Sequence, residues 1–204
     1  YFIVLMCFIG ALYPAIDLVA GEKERNTLET ILICPVSRFE ILIGKFLVIF
    51  LCGFIASLLT YLRLSLKLVG GLTGGELQIH DVLSPTAILN YLIMLVPLAA
   101  LFAALLLTLS TVARNFKEAQ SYIMPFNFLI LIPAFYALLP GVELGVWAAM
   151  TPVLNVTLAL RDIWSGNIQG HIILMIMGSS TLYSLLLIGL CTWLFRKESI
   201  LFRT

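Results

Sequence analysis

Charge is what this sequence is short of. Lys, Arg, Asp and Glu make up 11% of its 204 residues, against roughly a quarter in a soluble domain. So few charges cannot cover a water-facing surface on a chain of this length, which excludes an ordinary soluble globular domain. Histidine is scarcer still. His80 and His171 are far apart, and no His-Glu-x-x-His occurs, so a zinc-protease site is excluded. Neither a pair of acids nor a nucleophile–base arrangement lies within the apolar runs, as an intramembrane protease would require. The four cysteines, Cys7, Cys34, Cys52 and Cys191, share no metal-ligand spacing and read as small hydrophobes. No basic block points to nucleic acid. The glycines of "GGLTGGELQIHDVLSP" lack the following Lys-Ser/Thr of a phosphate-binding loop.

Apolar residues are what is present. They make up 61% of the chain, with a mean hydropathy of +1.08. An integral membrane protein follows. The chain opens at Tyr1, already inside an apolar run and without a charged leader, which we read as a segment of a longer polypeptide. Five stretches are long enough to span a bilayer, for which roughly 17–25 residues are needed. They are Tyr1–Val19, Phe46–Leu62, Thr86–Val112, Ala119–Leu139 and Ile172–Phe195. The second is expected to begin earlier, near Phe39. Open strands would leave backbone groups unpaired in lipid, so these stretches are read as helices. The predicted fold is an all-α membrane protein: a polytopic helical bundle with about five transmembrane helices, treated as one domain over 1–204.

Loop charge sets the orientation. Put the connector after the first span inside, and Lys23, Arg25, Arg38, Lys45, Arg114, Lys117, Arg196, Lys197 and Arg203 all fall inside. Only Arg63, Lys67 and Arg161 fall outside. That bias predicts a cytoplasmic connector and a cytoplasmic C-terminus. On the outer side, residues 140–170 are half apolar but broken by Gly145 and Pro152. They are expected to form re-entrant or interfacial helices, one of them over Val153–Trp164. Asn155-Val156-Thr157 matches a glycosylation sequon, but we do not read it as an occupied site.

Polar groups within the spans are few. Asp17 is the one acid, near the inner end of its span, and Asn90 and Asn127 lie on the third and fourth. These three are the candidate pathway residues, because charge and amides inside a membrane are costly. Helix-to-helix hydrogen bonding is the plainer role for such groups, and for Ser121, Ser179 and Ser180 as well.

The connector Ala20–Phe46 concentrates Glu22, Lys23, Glu24, Arg25, Glu29, Arg38, Glu40 and Lys45, which is 8 of the 23 charged residues. Gly21 is expected to release the chain from the first span. Asn26 with Glu29 forms a variant capping box. Leu28, Ile31 and Leu32 then share one helical face. Pro35 stops that helix, since the residue before a proline is pushed out of the α region. Ser37 with Glu40 forms a second capping box that starts the next helix. The prediction is an elbow over 21–38 of helix, turn and helix at the membrane surface. Helices that rest on lipid headgroups carry mostly basic polar faces. The mixed signs here favour docking to a soluble protein.

"GEKERNTLETILICPVSRFEILIGK", from Gly21 to Lys45, resembles the hallmark stretch of the ABC-2 type permeases, in particular their sodium-export permease branch. The match is nearly continuous. Its one clear departure is Asn26, where the family usually has Gly; Asn tolerates the same backbone. "ARNFKEAQSYIMP" at Ala113–Pro125 and the tail "LFRKESILFR" resemble the later inner loops of that branch.

The resemblance implies six spans per permease, with the first span and an outer domain upstream of this sequence. It implies that the elbow carries a coupling helix seated in a groove of a separate cytoplasmic ATPase subunit. Glu22, Glu24, Arg25, Thr27, Leu28, Glu29, Ile31, Leu32, Pro35 and Arg38 are the expected coupling residues. Two permeases, identical or different, would work with two ATPases in a bacterial cell membrane. ATP would be bound by the partner, and this chain would hold no cofactor or catalytic residue. An ion-coupled secondary transporter, or the membrane part of a protease fusion, are the alternatives. The first predicts inverted repeats and ionisable groups at mid-bilayer, and neither is visible.

Overall fold

In lipid a long apolar segment must satisfy its backbone groups internally, and the helix does so within one segment. The computed structural model describes residues 1–25, 27, 35–69, 85–137, 139, 148, 150–164 and 170–197. Its helices are α1 (Phe2–Glu24), α2 (Arg38–Val69), α3 (Pro85–Val112), α4 (Phe116–Tyr136), α5 (Leu154–Trp164) and α6 (Gly170–Arg196). The protein is an all-α, polytopic bundle.

Four of these helices are long and apolar enough to cross a membrane: α1, α2 over Arg38–Leu66, α3 over Ile88–Val112 and α6 over Gly170–Phe195. The expected fourth span, Ala119–Leu139, is helical as α4 but falls short of that apolar character. Gln120, Ser121, Asn127, Pro125 and Pro133 dilute it. By length and composition alone four of the described helices qualify, while α4 still runs from Phe116, bonded to Glu24 at the elbow, to its C-cap Ala137, bonded to Arg161 at the opposite end. Much of the glycine-rich outer loop and of 140–170 lies outside the described residues.

The bundle is organised around α3. Two thirds of its apolar window is buried, 67% against 28% in α2 and 17% in α6, and it packs against all five other helices. Leucines of α6 such as Leu174, Leu182 and Leu185 are correspondingly exposed.

Two kinds of contact hold these helices. Between α1 and α2 the contact is steric. A Cβ placed on Gly10 would lie 2.4 Å from the Ala56 Cβ, and one on Gly53 would lie 2.9 Å from the Cys7 carbonyl oxygen. Small residues bring two membrane helices close enough for such backbone approach. Phe8 of α1 meets Phe102 of α3 edge-on at 5.4 Å.

Elsewhere the contact is polar. The buried Tyr91 hydroxyl of α3 donates to the Ser57 carbonyl of α2 at 3.1 Å, and its ring stacks on Tyr61 at 4.0 Å. Between α3 and α6, the Thr108 hydroxyl donates to the Leu187 carbonyl at 3.3 Å, and Thr111 Oγ1 lies 3.6 Å from Cys191 Sγ. Asn155 of α5 is fully buried, and its amide donates to Ser179 and Ser180 of α6 at 3.2 and 3.0 Å. The glycosylation motif is thus consumed in packing, with no room for a sugar. Ser179 and Ser180 join helices as expected, through a partner that their own span did not reveal.

At one end of the bundle lie residues 22–25, 37–45 and 111–118, joined by the contacts described below, with Thr192 and Phe195 beside Ser37, Arg38 and Leu42. This elbow end carries Lys23, Arg25, Arg38, Lys45, Arg114, Lys117 and Lys197. The Lys197 ammonium sits 3.7 Å from the ring centroid of Trp193, a pairing suited to a membrane–water boundary. Toward the far end lie Arg63 and Arg161, whose Nη1 donates to the Ala137 carbonyl at 3.0 Å.

Candidate functional site

The elbow is described at its two sides. Pro35 and Val36 form a bend, and Ser37 and Glu40 start α2. The expected second capping box is there. The Glu40 N–H donates to Ser37 Oγ at 3.3 Å, and the Ser37 N–H donates to Glu40 Oε2 at 2.9 Å. Two first-turn donors are satisfied reciprocally, so the start of α2 is pinned. Asn26, Leu28, Glu29, Ile31 and Leu32, with the first capping box and the apolar face they were expected to form, lie outside the described residues.

On its other side the elbow differs from expectation. Gly21 does not release the chain. α1 continues through it to Glu24, changing at Asp17–Gly21 from α-helix to a five-residue π-turn. Such turns are rare inside α-helices and gather at functional sites. The small residue leaves room for a side chain instead: a Cβ at Gly21 would come 2.8 Å from Asp17 Oδ1. With no side chain at 21, the Asp17 carboxylate folds back along the helix and pairs with Arg25 Nη2 at 3.0 Å.

The charges that follow face inward onto the bundle. Lys45 of α2 is buried, its side chain 7% exposed, and its ammonium pairs with Glu22 Oε2, itself 19% exposed. The same ammonium donates to the Leu18 carbonyl, inside the π-turn. Lys23 donates to the carbonyls of Thr111 and Ala113, the latter at 3.1 Å, at the C-terminal end of α3. A cation there serves carbonyls that have no partner within the helix and opposes the negative end of the helix dipole.

Glu24 does the converse. Its Oε2 accepts the Phe116 N–H of the first turn of α4 at 3.0 Å. The same helix start is capped from both sides: Asn115 Oδ1 accepts the Glu118 N–H at 2.9 Å, and Glu118 Oε2 accepts the Arg114 N–H, one residue before the cap, at 2.8 Å. Three consecutive residues, Glu22, Lys23 and Glu24, thus attach α1 to α2, to α3 and to α4 in turn.

Of the other expected coupling residues, Arg25, Thr27 and Pro35 are exposed and Arg38 is half-buried. Thr27 Oγ1 donates to the Glu22 carbonyl at 3.2 Å. The candidate pathway residues are not brought together. Asp17 is exposed at the elbow end, paired with Arg25, and Asn90 and Asn127 are half-buried on α3 and α4. Lys23 marks the elbow end of α3 at Thr111, and 21 residues of helix from there to Asn90 span roughly 30 Å.

Residues that the sequence left unassigned complete the site: Lys23, Lys45, Asn115 and Glu118. Asn115-x-x-Glu118 is a capping signal legible in the sequence. The Lys45–Glu22 and Lys23–Thr111 pairings span 23 and 88 positions, and no local pattern encodes them.

The family model described as ABC-2 family transporter protein matches residues 1–196. The chain belongs to that family. It is 34% identical over 129 residues to the ABC transporter permease protein NatB of Bacillus subtilis (strain 168). That alignment covers 62% of this chain and 33% of the relative, so the aligned part spans about a third of the relative's length. No solved structure matches. The elbow is thus the elbow of an ABC-2 transporter membrane region, with its charges turned largely onto its own bundle.

Proposed function

We propose that this chain is part of the permease subunit of an ATP-binding-cassette exporter, moving substrate outward with ATP hydrolysed by a separate cytoplasmic ATPase. The observation that carries this reading is the elbow's anchorage. A segment that receives force from a soluble motor must be joined stiffly to the helices it moves, and Glu22, Lys23, Glu24 and Lys45 join it to four. Family membership and the relative named as a permease support the same reading.

The work divides along the elbow. Leu28, Ile31 and Leu32 seat in a groove of the ATPase, with Glu29, Arg25 and Thr27 at its rim for register and partner choice. When the ATPases close on ATP, the elbow shifts. Its Ser37–Glu40 capping box carries the shift into α2, and Glu22–Glu24 carry it into α1, α3 and α4. The orientation is connector inside and C-terminus inside, in a bacterial cell membrane, with two permeases per transporter. ATP is the partner's ligand, and no group in this chain is assigned a chemical step.

Co-purification of the full-length permease with its ATPase tests the docking. Leu28→Asp or Glu29→Arg is expected to abolish ATPase capture and ATP-dependent transport while leaving the permease in the membrane. Capture and transport that survive both substitutions refute the assignment.

A further inference from the structure

Helix α1 holds a π-turn at Asp17–Gly21, and the ammonium of Lys45, from another helix, is bonded to a carbonyl within it, that of Leu18. We propose that Lys45 is a positioning residue: by holding the Leu18 carbonyl it maintains the π-turn, and the π-turn sets the rotational register in which Glu22, Lys23 and Glu24 meet three different helices. The inference stands on the geometry of the bundle and not on the transport reading.

A π-turn places one extra residue in a helical turn, and it persists where something from outside serves the backbone it loosens. Lys45 does this from α2, anchored by the Glu22 carboxylate one turn further along. Each α-helical residue turns the helix by about 100°. If the π-turn relaxes to α-helix, every residue beyond it rotates by that amount. Glu24 then turns away from the Phe116 N–H, and Lys23 from the carbonyls at the end of α3. One ammonium thus keeps the fan of contacts in register. Pro14, one turn before the π-turn, lacks an N–H and already weakens the ladder there. Gly21, where a Cβ would press on Asp17 Oδ1, completes a segment poised between two windings.

The test separates register from simple charge pairing. In the full-length permease freed of its native cysteines, one reporter pair places cysteines at Glu24 and Phe116. A control pair places them at Thr108 and Leu187, across the α3–α6 contact. Lys45→Met is expected to lower the 24–116 disulfide yield at least five-fold and leave the 108–187 yield within two-fold.

Glu22→Gln, which keeps the donation from Lys45 to Leu18, is expected to hold the 24–116 yield within two-fold. The exchanged pair Glu22→Lys with Lys45→Glu restores opposite charges but puts an acceptor-only group at 45, so it is expected not to recover the yield. An unchanged 24–116 yield in Lys45→Met overturns the proposal. So does full recovery in the exchanged pair, which would make attraction alone sufficient. If Lys45→Met loses the control pair as well, Glu22→Gln decides: a retained reporter yield supports the proposal, and a five-fold loss overturns it.

Discussion

The α1–α2 side of the molecule and the α3–α4–α5 corner are built from similar residues and held in opposite ways. On the first side, Gly10 and Gly53 let two backbones touch, and Lys45 and Glu22 tie the same two helices at the elbow. In the α3–α4–α5 corner, Leu101, Leu105, Phe126, Leu129, Ile132 and Tyr136 line an open apolar groove of about 470 Å³. Its rim includes Val153, whose φ of 72° is strained for a β-branched residue. A second groove, of about 400 Å³, opens between Phe2, Leu64 and Leu160. The difference teaches where motion is cheap. A seam with no slack and a buried ion pair moves as one body, whereas an open groove with a strained residue on its rim can change shape at lower cost.

The largest expected effect comes from breaking the tied side at Glu22. Glu22→Ala leaves a buried ammonium with only a neutral carbonyl partner, and losing one member of such a pair costs about 3–5 kcal/mol. Reversible unfolding in mixed micelles would show it. Replacing both members, with Glu22→Met and Lys45→Leu, is expected to recover most of that loss, because two well-packed apolar side chains avoid the desolvation penalty. A double replacement as unstable as the single one would mean that the ion pair itself supplies stability.

Gly10→Val comes next. Its Cβ would overlap that of Ala56 before either methyl is placed, and overpacking of this kind costs about 1–3 kcal/mol. Leu105→Phe in the α3–α4–α5 corner is the matched comparison. It adds volume beside the 470 Å³ groove and is expected to change stability by less than about 1 kcal/mol. Equal losses from the two enlargements would erase the contrast between a tight seam and a loose corner.

The parts of this arrangement that sequence could reveal were local ones. Apolar length marked α1, α2, α3 and α6, and the alternation of loop charge marked which ends share a side. Ser37-x-x-Glu40 marked the start of α2 because both partners of a capping box lie three residues apart. What escaped was coded at a distance or by winding. Gly21 looks like a helix terminator, since glycine commonly ends helices. Only the fold shows the Asp17 carboxylate lying where its Cβ would be. Lys45 counted as one more inner positive charge, because nothing near it in sequence signals burial against Leu18 and Glu22. Asn155 and Ser179–Ser180 were each readable as polar residues in apolar surroundings, but their pairing was not. The difference over α4 has another cause: its amides and prolines lower its apolarity without preventing a helix packed on α3 and α5.

Arg25→Ala is expected to have the smallest effect, and it sharpens the comparison within the elbow itself. Arg25 and Asp17 form an ion pair at 3.0 Å, as close as many stabilising ones, yet their side chains are 69% and 53% exposed. Water and salt screen such a pair, which is worth only about 0.2–1 kcal/mol. The unfolding free energy should therefore move by less than about 1 kcal/mol, against several for Glu22→Ala three positions earlier. Its effect on partner capture should run the other way. Glu22 is occupied by Lys45, whereas Arg25 faces outward, where the docking proposed above would bring the ATPase. Co-purification should thus fall several-fold in Arg25→Ala at nearly unchanged stability, and more at low salt, where the charge is least screened, than at high salt. If Arg25→Ala instead destabilises the permease as much as Glu22→Ala and leaves capture intact, then Arg25 belongs with the inward-facing charges and the elbow presents no charged rim at that position.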